Sequence, residues 1–432
     1  MPKIDLTGFY KKNLDERLQI VRKFAELSEE EIGQFKKFGS LDFETANRMI
    51  ENVIGTFNFP LGIATNFIVN GKEILVPMAI EEPSVVAAAS NAARLCQSTG
   101  GFTAGATAPE MIGQIQLVNV NDSTKAIQKI KQNEKSLIEF ANSFDSVLIK
   151  LGGGCRRIES REIKTQSGSM LIVHLIVDVR DAMGANAVNT MCERLAPEFE
   201  AITGGTVRLR IISNLAVYRL ATAKAVWKKE ELAESIKNME ISPDEVVDRI
   251  LDAYYFADND VFRATTFNKG IMNGVDAVAI ATGQDFRALE SGAHSYANYK
   301  NGEYKPLTWY YKDKDGNLAG EIELPMAVGL VGGATKTHPL AGINLKLLKV
   351  KTAQDLAEIM AAVGLAQNFA AQRVLATEGI QRGHMGLHAK NIAIMAGAKG
   401  EQIEKVAEQL VKNKNVSVSA AQEILKGKKW RV

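Results

Sequence analysis

Lys269 and Asp285 are the residues of this chain whose types and spacing first point to chemistry. They stand in the stretch Arg263–Asp285, RATTFNKGIMNGVDAVAIATGQD. A lysine between an asparagine and a glycine (Asn268-Lys269-Gly270) sits on backbone that can turn sharply. Its ammonium is expected to point into a pocket rather than lie along a helix face. Asp285 follows the apolar run Ala277–Ala281 and the turn Thr282-Gly283-Gln284, and is expected to reach the same place. A Lys–Asp pair beside a pocket can stabilise a developing oxyanion. The same pair on a solvated surface is an ion pair of little energetic weight.

Other segments carry further candidates. DAMGAN (Asp181–Asn186) follows the apolar run Met170–Val179. Gly184 there allows close backbone approach, and the helix expected after it offers free N–H groups to a phosphate. The pattern is not the Rossmann GxGxxG, so a dinucleotide would bind in another way; a plain strand-to-helix turn is the alternative. GLVGGATKT (Gly329–Thr337) lacks the glycine before the lysine that an NTP-binding P-loop needs. His384 and His388 are four apart, but Met385 stands where an HExxH zinc site has glutamate. The other histidines (His174, His294, His338) suggest no third ligand, so no metal is expected. Glu81-Glu82 follows the apolar run Ile74–Ile80 and precedes Pro83, which places one of the two acids in a wall. Asp145 lies ten residues before Cys155, where it reads as a solvated helix-end acid.

The elements that must hold these residues follow from periodicity. Leu14–Phe35, Asp42–Val53, Glu82–Leu95, Asp244–Phe256 and Ala353–Ala376 read as helices. Residues 111–212 form a distinct unit. Ile112–Val120 alternates as a strand, Ser123–Phe144 is an amphipathic helix, and Arg156–Lys164 and Met170–Val179 are strands. Ala185–Ile202 is a helix interrupted at Pro197. Thr206–Ile212 is a strand with Val207, Leu209 and Ile211 on one face. The order β-α-β-β-α-β is the ferredoxin-like split arrangement. The fold class expected is therefore α+β and multidomain: a large, mainly helical domain (1–108 and 217–376), an inserted ferredoxin-like domain (109–216) and a C-terminal helical flap (377–432) with Gly379 and Gly383 as hinges.

Composition narrows the function. With 52 basic against 50 acidic residues the net charge is +2, which gives no basic field for nucleic acid. Cys96, Cys155 and Cys192 are far apart with no CxxC pair, against a disulfide framework or zinc–thiolate site and in favour of a reducing cytoplasm. The N-terminus has no apolar core for a signal peptide, and no run approaches the roughly 20 apolar residues of a membrane span.

ENVIGTF (Glu51–Phe57), EEPSVVAAAS (Glu81–Ser90), DAMGAN, NKGIMNG, ATGQD and GHMGLHA (Gly383–Ala389) occur in this order. Together they resemble the soluble, class II type of 3-hydroxy-3-methylglutaryl-coenzyme A (HMG-CoA) reductase, from about Gly8 to the C-terminus. The resemblance implies reduction of HMG-CoA through mevaldehyde to mevalonate and coenzyme A, or the reverse oxidation. It implies Lys269 as oxyanion donor, Asp285 as the group that holds and polarises Lys269, and Glu82 as proton donor to the mevaldehyde oxygen. His384 would protonate the coenzyme A thiolate. Arg263 would meet the substrate carboxylate, helped by Ser84, Asn214 and Asn273. Asp181, Met183, Gly184 and Asn186 would contact the nucleotide. Asp145 would accept ribose hydroxyls, favouring NADH, while Arg156 and Arg157 leave NADPH open. GLVGGATKT would be a wall near the cofactor. A homodimer with shared active sites is implied, a trimer of dimers being the higher alternative. An acyl-CoA thioester hydrolase would use Lys269 and His384 without DAMGAN or Asp145; a non-catalytic coenzyme A-binding protein would need none of Glu82, Lys269, Asp285 and His384.

Overall fold

The computed structural model describes residues 6–39, 41–236, 239–377, 379, 389–413 and 415–426. Its strands are β1 (Leu61–Val69), β2 (Lys72–Ala79), β3 (Thr103–Ala106), β4 (Glu110–Val118), β5 (Gly154–Thr165), β6 (Gly168–Asp178), β7 (Thr206–Ser213), β8 (Leu220–Trp227), β9 (Thr308–Lys312) and β10 (Leu318–Pro325). They form a β1–β2 hairpin and two four-stranded sheets, ordered β3–β8–β10–β9 and β5–β6–β4–β7.

The second sheet has antiparallel neighbours throughout, with helices between β4 and β5 and between β6 and β7. That is the ferredoxin-like order expected from the sequence. Ile115, Leu117, Leu171, Val173 and Val177 bury one face against Val188, Met191, Leu195 and Phe199 of the helix Ala185–Thr203. On the other face Gln114 meets His174 at 2.9 Å, as the alternation in β4 requires.

Several expected boundaries move for local reasons. Leu14–Phe35 is two helices, Leu14–Ala25 and Glu29–Lys36, because Ser28 and Glu31 form a capping box that starts the second. Ser123–Phe144 breaks at Asn133 into Ser123–Gln132 and Glu134–Asn142. The expected helix Asp42–Val53 shortens to Phe43–Met49, and the one behind Pro83 begins at Val85. Ala185–Thr203 runs unbroken through Pro197, whose side lies exposed. In β7 the expected alternation fails. Between Leu117 and Ile115 the partner positions run from Val207 to Arg210, one residue more than on β4. This bulge reverses the faces, so Val207 is buried while Leu209 and Ile211 are exposed.

The larger core gathers around two helices, Val261–Ala281 and Ala353–Ala376. They pack closely at paired glycines. A Cβ on Gly274 would come within 2.9 Å of Gln367, and one on Gly364 within 3.0 Å of Val275. Trp227 of β8 stacks on Phe369 with ring centroids 3.8 Å apart. The C-terminal helices Glu401–Lys412 and Val418–Leu425 bury Val406, Leu410 and Ala421 in a cluster of their own. Cys96, Cys155 and Cys192 are buried free thiols. Among the described residues no helix is long and apolar enough to cross a membrane.

Candidate active site

Lys269 does not sit in a turn. It lies midway along the helix Val261–Ala281, which Asp260 caps by accepting the Arg263 amide at 2.7 Å. The glycines around it serve helix packing at Gly274 rather than chain reversal. Burial of Ala264, Phe267, Ile271, Val275 and Val278 outweighs the cost of about 1 kcal/mol that an interior glycine carries. Lys269 therefore emerges from a helix face, in a polar stripe with Asn273 and Asp276 at helical spacing.

That stripe faces the turn after β2. Leu75, Val76 and Met78 of β2 are fully buried, so the run Ile74–Ile80 is a core strand that carries Glu82 to the surface of the helix. Glu82 Oε2 lies 3.2 Å from Lys269 Nζ and accepts from Asn273 Nδ2 at 3.3 Å. Two of the expected catalytic residues and one expected substrate contact thus converge on one carboxylate oxygen. The side chains of Lys269 and Glu82 are 59% and 39% exposed. The pair is open to a ligand and contributes little to stability.

Asp285 is elsewhere. It caps the helix Phe286–Tyr299, accepting the Ala288 amide at 3.2 Å, and its ion pair is to Arg287 at 3.3 Å. From Lys269 to the helix end at Ala281 is roughly 18 Å along the axis at 1.5 Å per residue. The expected Lys269–Asp285 contact is therefore absent within one chain. Asp285 belongs instead to a wall in which Gln284 exchanges hydrogen bonds with the Gly329 backbone at 2.8 and 2.9 Å. Gly329 packs so closely that a Cβ would sit 2.5 Å from the Met183 amide. Leu330 donates to the Asp181 carbonyl at 2.8 Å. The ATGQD turn, GLVGGATKT and DAMGAN are one stitched surface.

Of the expected substrate contacts, Ser84 stands at the start of the helix Val85–Leu95 with φ 75° and makes no side-chain cap there. Arg263 is half-buried over the Phe267 ring, where burial lowers its pKa. It projects roughly 120° around the helix from Lys269 at 3.6 residues per turn. A Cβ on Gly292 would touch the Asn214 carbonyl. His384 and His388 lie outside the described residues.

In DAMGAN, Gly184 takes φ 107° and opens the helix Ala185–Thr203 with no side-chain cap. Met183 precedes it and Asn186 lies in the first turn of that helix. The Asp181 carboxylate accepts from the Ala353 amide at 2.7 Å, and buried Arg219 donates to the carbonyls of Ala182 and Met183. Asp145 caps the short helix Ser146–Lys150 through Leu148 at 2.8 Å. The glycine turn after it adjoins the DAMGAN end of β6: a Cβ on Gly153 would touch the Asp178 carbonyl.

The family model for hydroxymethylglutaryl-coenzyme A reductase matches residues 13–389. The chain belongs to the hydroxymethylglutaryl-coenzyme A reductase family. It is 58% identical to 3-hydroxy-3-methylglutaryl-coenzyme A reductase of Archaeoglobus fulgidus, over 97% of this chain and 94% of that one. A probable reductase of the same name from Borreliella burgdorferi is 35% identical over 89% and 86%. Among solved structures it resembles the class II enzyme of Streptococcus pneumoniae bound to NADPH in open conformations. That match has TM-score 0.82 and 39% identity, and covers 87% of this chain and 100% of that one. The protein is thus a nicotinamide-dependent oxidoreductase that reduces HMG-CoA to mevalonate and coenzyme A or runs the reverse oxidation, and the thioester hydrolase and binding-protein alternatives fall away.

For an HMG-CoA reductase the DAMGAN helix is a fitting nucleotide site. Its first-turn amides have no side-chain cap, which leaves them for phosphate oxygens. Nicotinamide supplies and accepts hydride when bound. The sequence reading missed a second group beside Lys269. Asp276, Glu290, His294 and Tyr304 continue the polar stripe away from Glu82. Glu290 Oε2 lies 2.8 Å from His294 Nε2, and His294 Nδ1 lies 2.6 Å from the Tyr304 hydroxyl. Two spacings could have revealed it: Lys269, Asn273 and Asp276 on one helical face, and Glu290 with His294 one turn apart.

Proposed function

We propose that Lys269, Glu82 and Asn273 form the reducing centre of this HMG-CoA reductase, and the observation that carries this is their convergence on one Glu82 oxygen. Lys269 donates to the oxygen that becomes negative as the thioester carbonyl is reduced. Glu82 gives a proton to the mevaldehyde oxygen. Asn273 and Ser84 orient the substrate, with Arg263 and Asn214 at its carboxylate end. His384 protonates the departing thiolate, for which an imidazole is suited because its pKa lies near neutrality. The domain division has residues 109–216 as the nucleotide-binding unit, the flanking segments 1–108 and 217–376 as the substrate-binding unit, and 377–432 as the flap. The separate buried clusters support it. The cellular site is the cytoplasm.

The working unit is a homodimer, with a hexamer as its higher assembly. Asp285 reaches Lys269 only from a second copy, since the two are far apart within one chain. The stretch at 49–59 supports this. Ile54 and Phe57 are fully or nearly fully exposed at 105% and 89%, with Ile50 and Phe38 beside them. Phe57, Ile50 and Phe38 line a groove of about 1930 Å³ that also takes in Ser84. An apolar surface of this kind on a soluble enzyme marks an interface.

NADH is the preferred cofactor. Asp145 offers a carboxylate beside the glycine turn, which suits ribose hydroxyls and repels a 2′-phosphate. The nearby guanidiniums are engaged. Arg156 and Arg180 pair with buried Asp178 at 3.0 and 2.6 Å, and Arg157 with Glu110 at 2.7 Å. Asp145→Asn, which keeps an acceptor for the helix cap, is expected to weaken NADH binding and relax discrimination against NADPH. Fluorescence titration with both nucleotides checks this; a wild-type enzyme that strongly prefers NADPH refutes it.

The reaction itself is tested by following the NADH absorbance band on adding HMG-CoA, and on adding mevalonate with coenzyme A and NAD. Loss of the band that depends on HMG-CoA supports the reading. His384→Gln is expected to impair reduction of the thioester far more than reduction of free mevaldehyde, because only the first releases a thiolate. Equal losses on both substrates assign His384 a structural role.

A further inference from the structure

Behind Lys269 lies a titratable chain that the reducing centre does not itself use. Asp276 is seven residues after Lys269, on the same helical face. Glu290 meets it through a carboxyl–carboxyl hydrogen bond from the helix Phe286–Tyr299, which packs against that helix. One Asp276 oxygen is buried with no hydrogen-bond partner among the described residues. Glu290 is held by His294 at 2.8 Å, and His294 by Tyr304 at 2.6 Å with the two rings stacked 6.1 Å apart. Two carboxyl groups directed at each other in a half-buried site cannot both be ionised at little cost.

The charges facing this pair come from several directions. Lys269 and Asn273 lie on the helix of Asp276, with Glu82 beyond them from the turn after β2. His294 and Tyr304 close the far side, Tyr304 near the carboxamide of Asn268. The helix Ala353–Ala376 presents the carboxamide Gln367 at Gly274. Burial, then the facing Glu290, pushes the Asp276 carboxyl up to about 8. The hydrogen bond from His294 is the largest influence on Glu290 and holds it below the ordinary carboxylate range, with Asp276 and the charge of Lys269 adding to it. The proton therefore resides on Asp276 and the charge on Glu290.

We propose that Asp276 and Glu290 are positioning residues for the reduction: they share one proton and so present a single, constant negative charge to Lys269 while Glu82 gains and loses its own proton. The need follows from the proposed mechanism, on which this inference rests. A Glu82 that donates a proton must first be neutral, and Lys269 then loses the charge at 3.2 Å. Glu290 remains as the counter-charge that keeps the ammonium in place. If Asp276 also ionises, two carboxylates draw on the ammonium from behind, away from the substrate oxygen, and its stabilisation of the oxyanion weakens.

Asp276 is active when protonated, so turnover holds at neutral pH and falls as pH rises through about 8. Asp276→Asn cannot ionise and keeps the shape. It is expected to retain kcat at pH 7 within about threefold and to move the alkaline limb of the kcat profile up by at least about one pH unit. Wild-type enzyme should show a carboxylic-acid infrared band at pH 7 that this variant lacks. Glu290→Gln, as second variant, should lose at least about tenfold in kcat at pH 7 with KM for HMG-CoA little changed. An absent infrared band overturns the shared proton, and an alkaline limb unmoved in Asp276→Asn overturns the coupling to catalysis. If Asp276→Asn fails to fold, the wild-type band and the Glu290→Gln turnover decide between the same outcomes. Full activity in Lys269→Ala would instead refute the oxyanion role, and the infrared band reports on Asp276 independently of it.

Discussion

Lys269→Ala is expected to lower kcat for HMG-CoA reduction by at least about a hundredfold, the loss of roughly 3–4 kcal/mol that follows removal of one oxyanion donor. The fold should survive. The Lys269 side chain is 59% exposed, so its removal opens no cavity in the core, and its ion pair with Glu82 is too solvated to matter much for stability. An interaction made only with the developing oxyanion changes kcat, whereas KM for HMG-CoA should move far less. Steady-state turnover at the NADH band, with circular dichroism as control, checks both. A loss below tenfold in a well-folded variant would assign the oxyanion to another donor, Asn273 being the nearest candidate.

The lysine was legible in the sequence, but its setting was not. NKGIMNG reads as a turn when its glycines are taken alone, since glycine is the residue of sharp reversals. In the folded chain Gly274 answers a demand from Gln367 and Val363, nearly a hundred residues downstream, and no local pattern announces that. Periodicity did carry the ferredoxin-like unit, because its strands alternate and its helix keeps one apolar face. It failed in β7, where a bulge fixed by pairing with β4 turns Leu209 and Ile211 outward. It also missed β8 and β10, over which the helix Ala353–Ala376 packs, and β9, which packs against the helix Pro243–Asn259. The acids Asp276 and Glu290 passed unnoticed for the same reason. Each is an ordinary helix residue until tertiary packing sets one against the other. The Glu82–Lys269 contact spans 187 residues, and only the motif resemblance, not spacing, pointed to it.

The position of Asp285 leads to the second large effect. Within one chain it adjoins the surface stitched through Gln284 and Gly329 to DAMGAN. Lys269 lies roughly 18 Å back along its helix at 1.5 Å per residue, beside Glu82. On the proposed assignment, a nucleotide with its phosphates at DAMGAN reaches a carbonyl at Lys269 when the nucleotide half of one subunit faces the substrate half of another. Lys269→Ala and Asp285→Ala homodimers should then each be nearly inactive. Mixing the two chains by unfolding and refolding together gives hybrids in half of the dimers. In a two-fold dimer one of the two sites in each hybrid combines an intact Lys269 with an intact Asp285 from the other chain. The mixture should recover about a quarter of wild-type activity, since half of the dimers carry one working site of two. A site built within a single chain predicts no recovery, because each chain then lacks one of its own residues. Recovery that rises with the hybrid fraction would place the active site between subunits. It would also explain why the exposed apolar stretch around Ile54 and Phe57 lies on the face that holds Ser84: closing that face against a partner both buries the apolar side chains and brings the second half of the chemistry to Lys269.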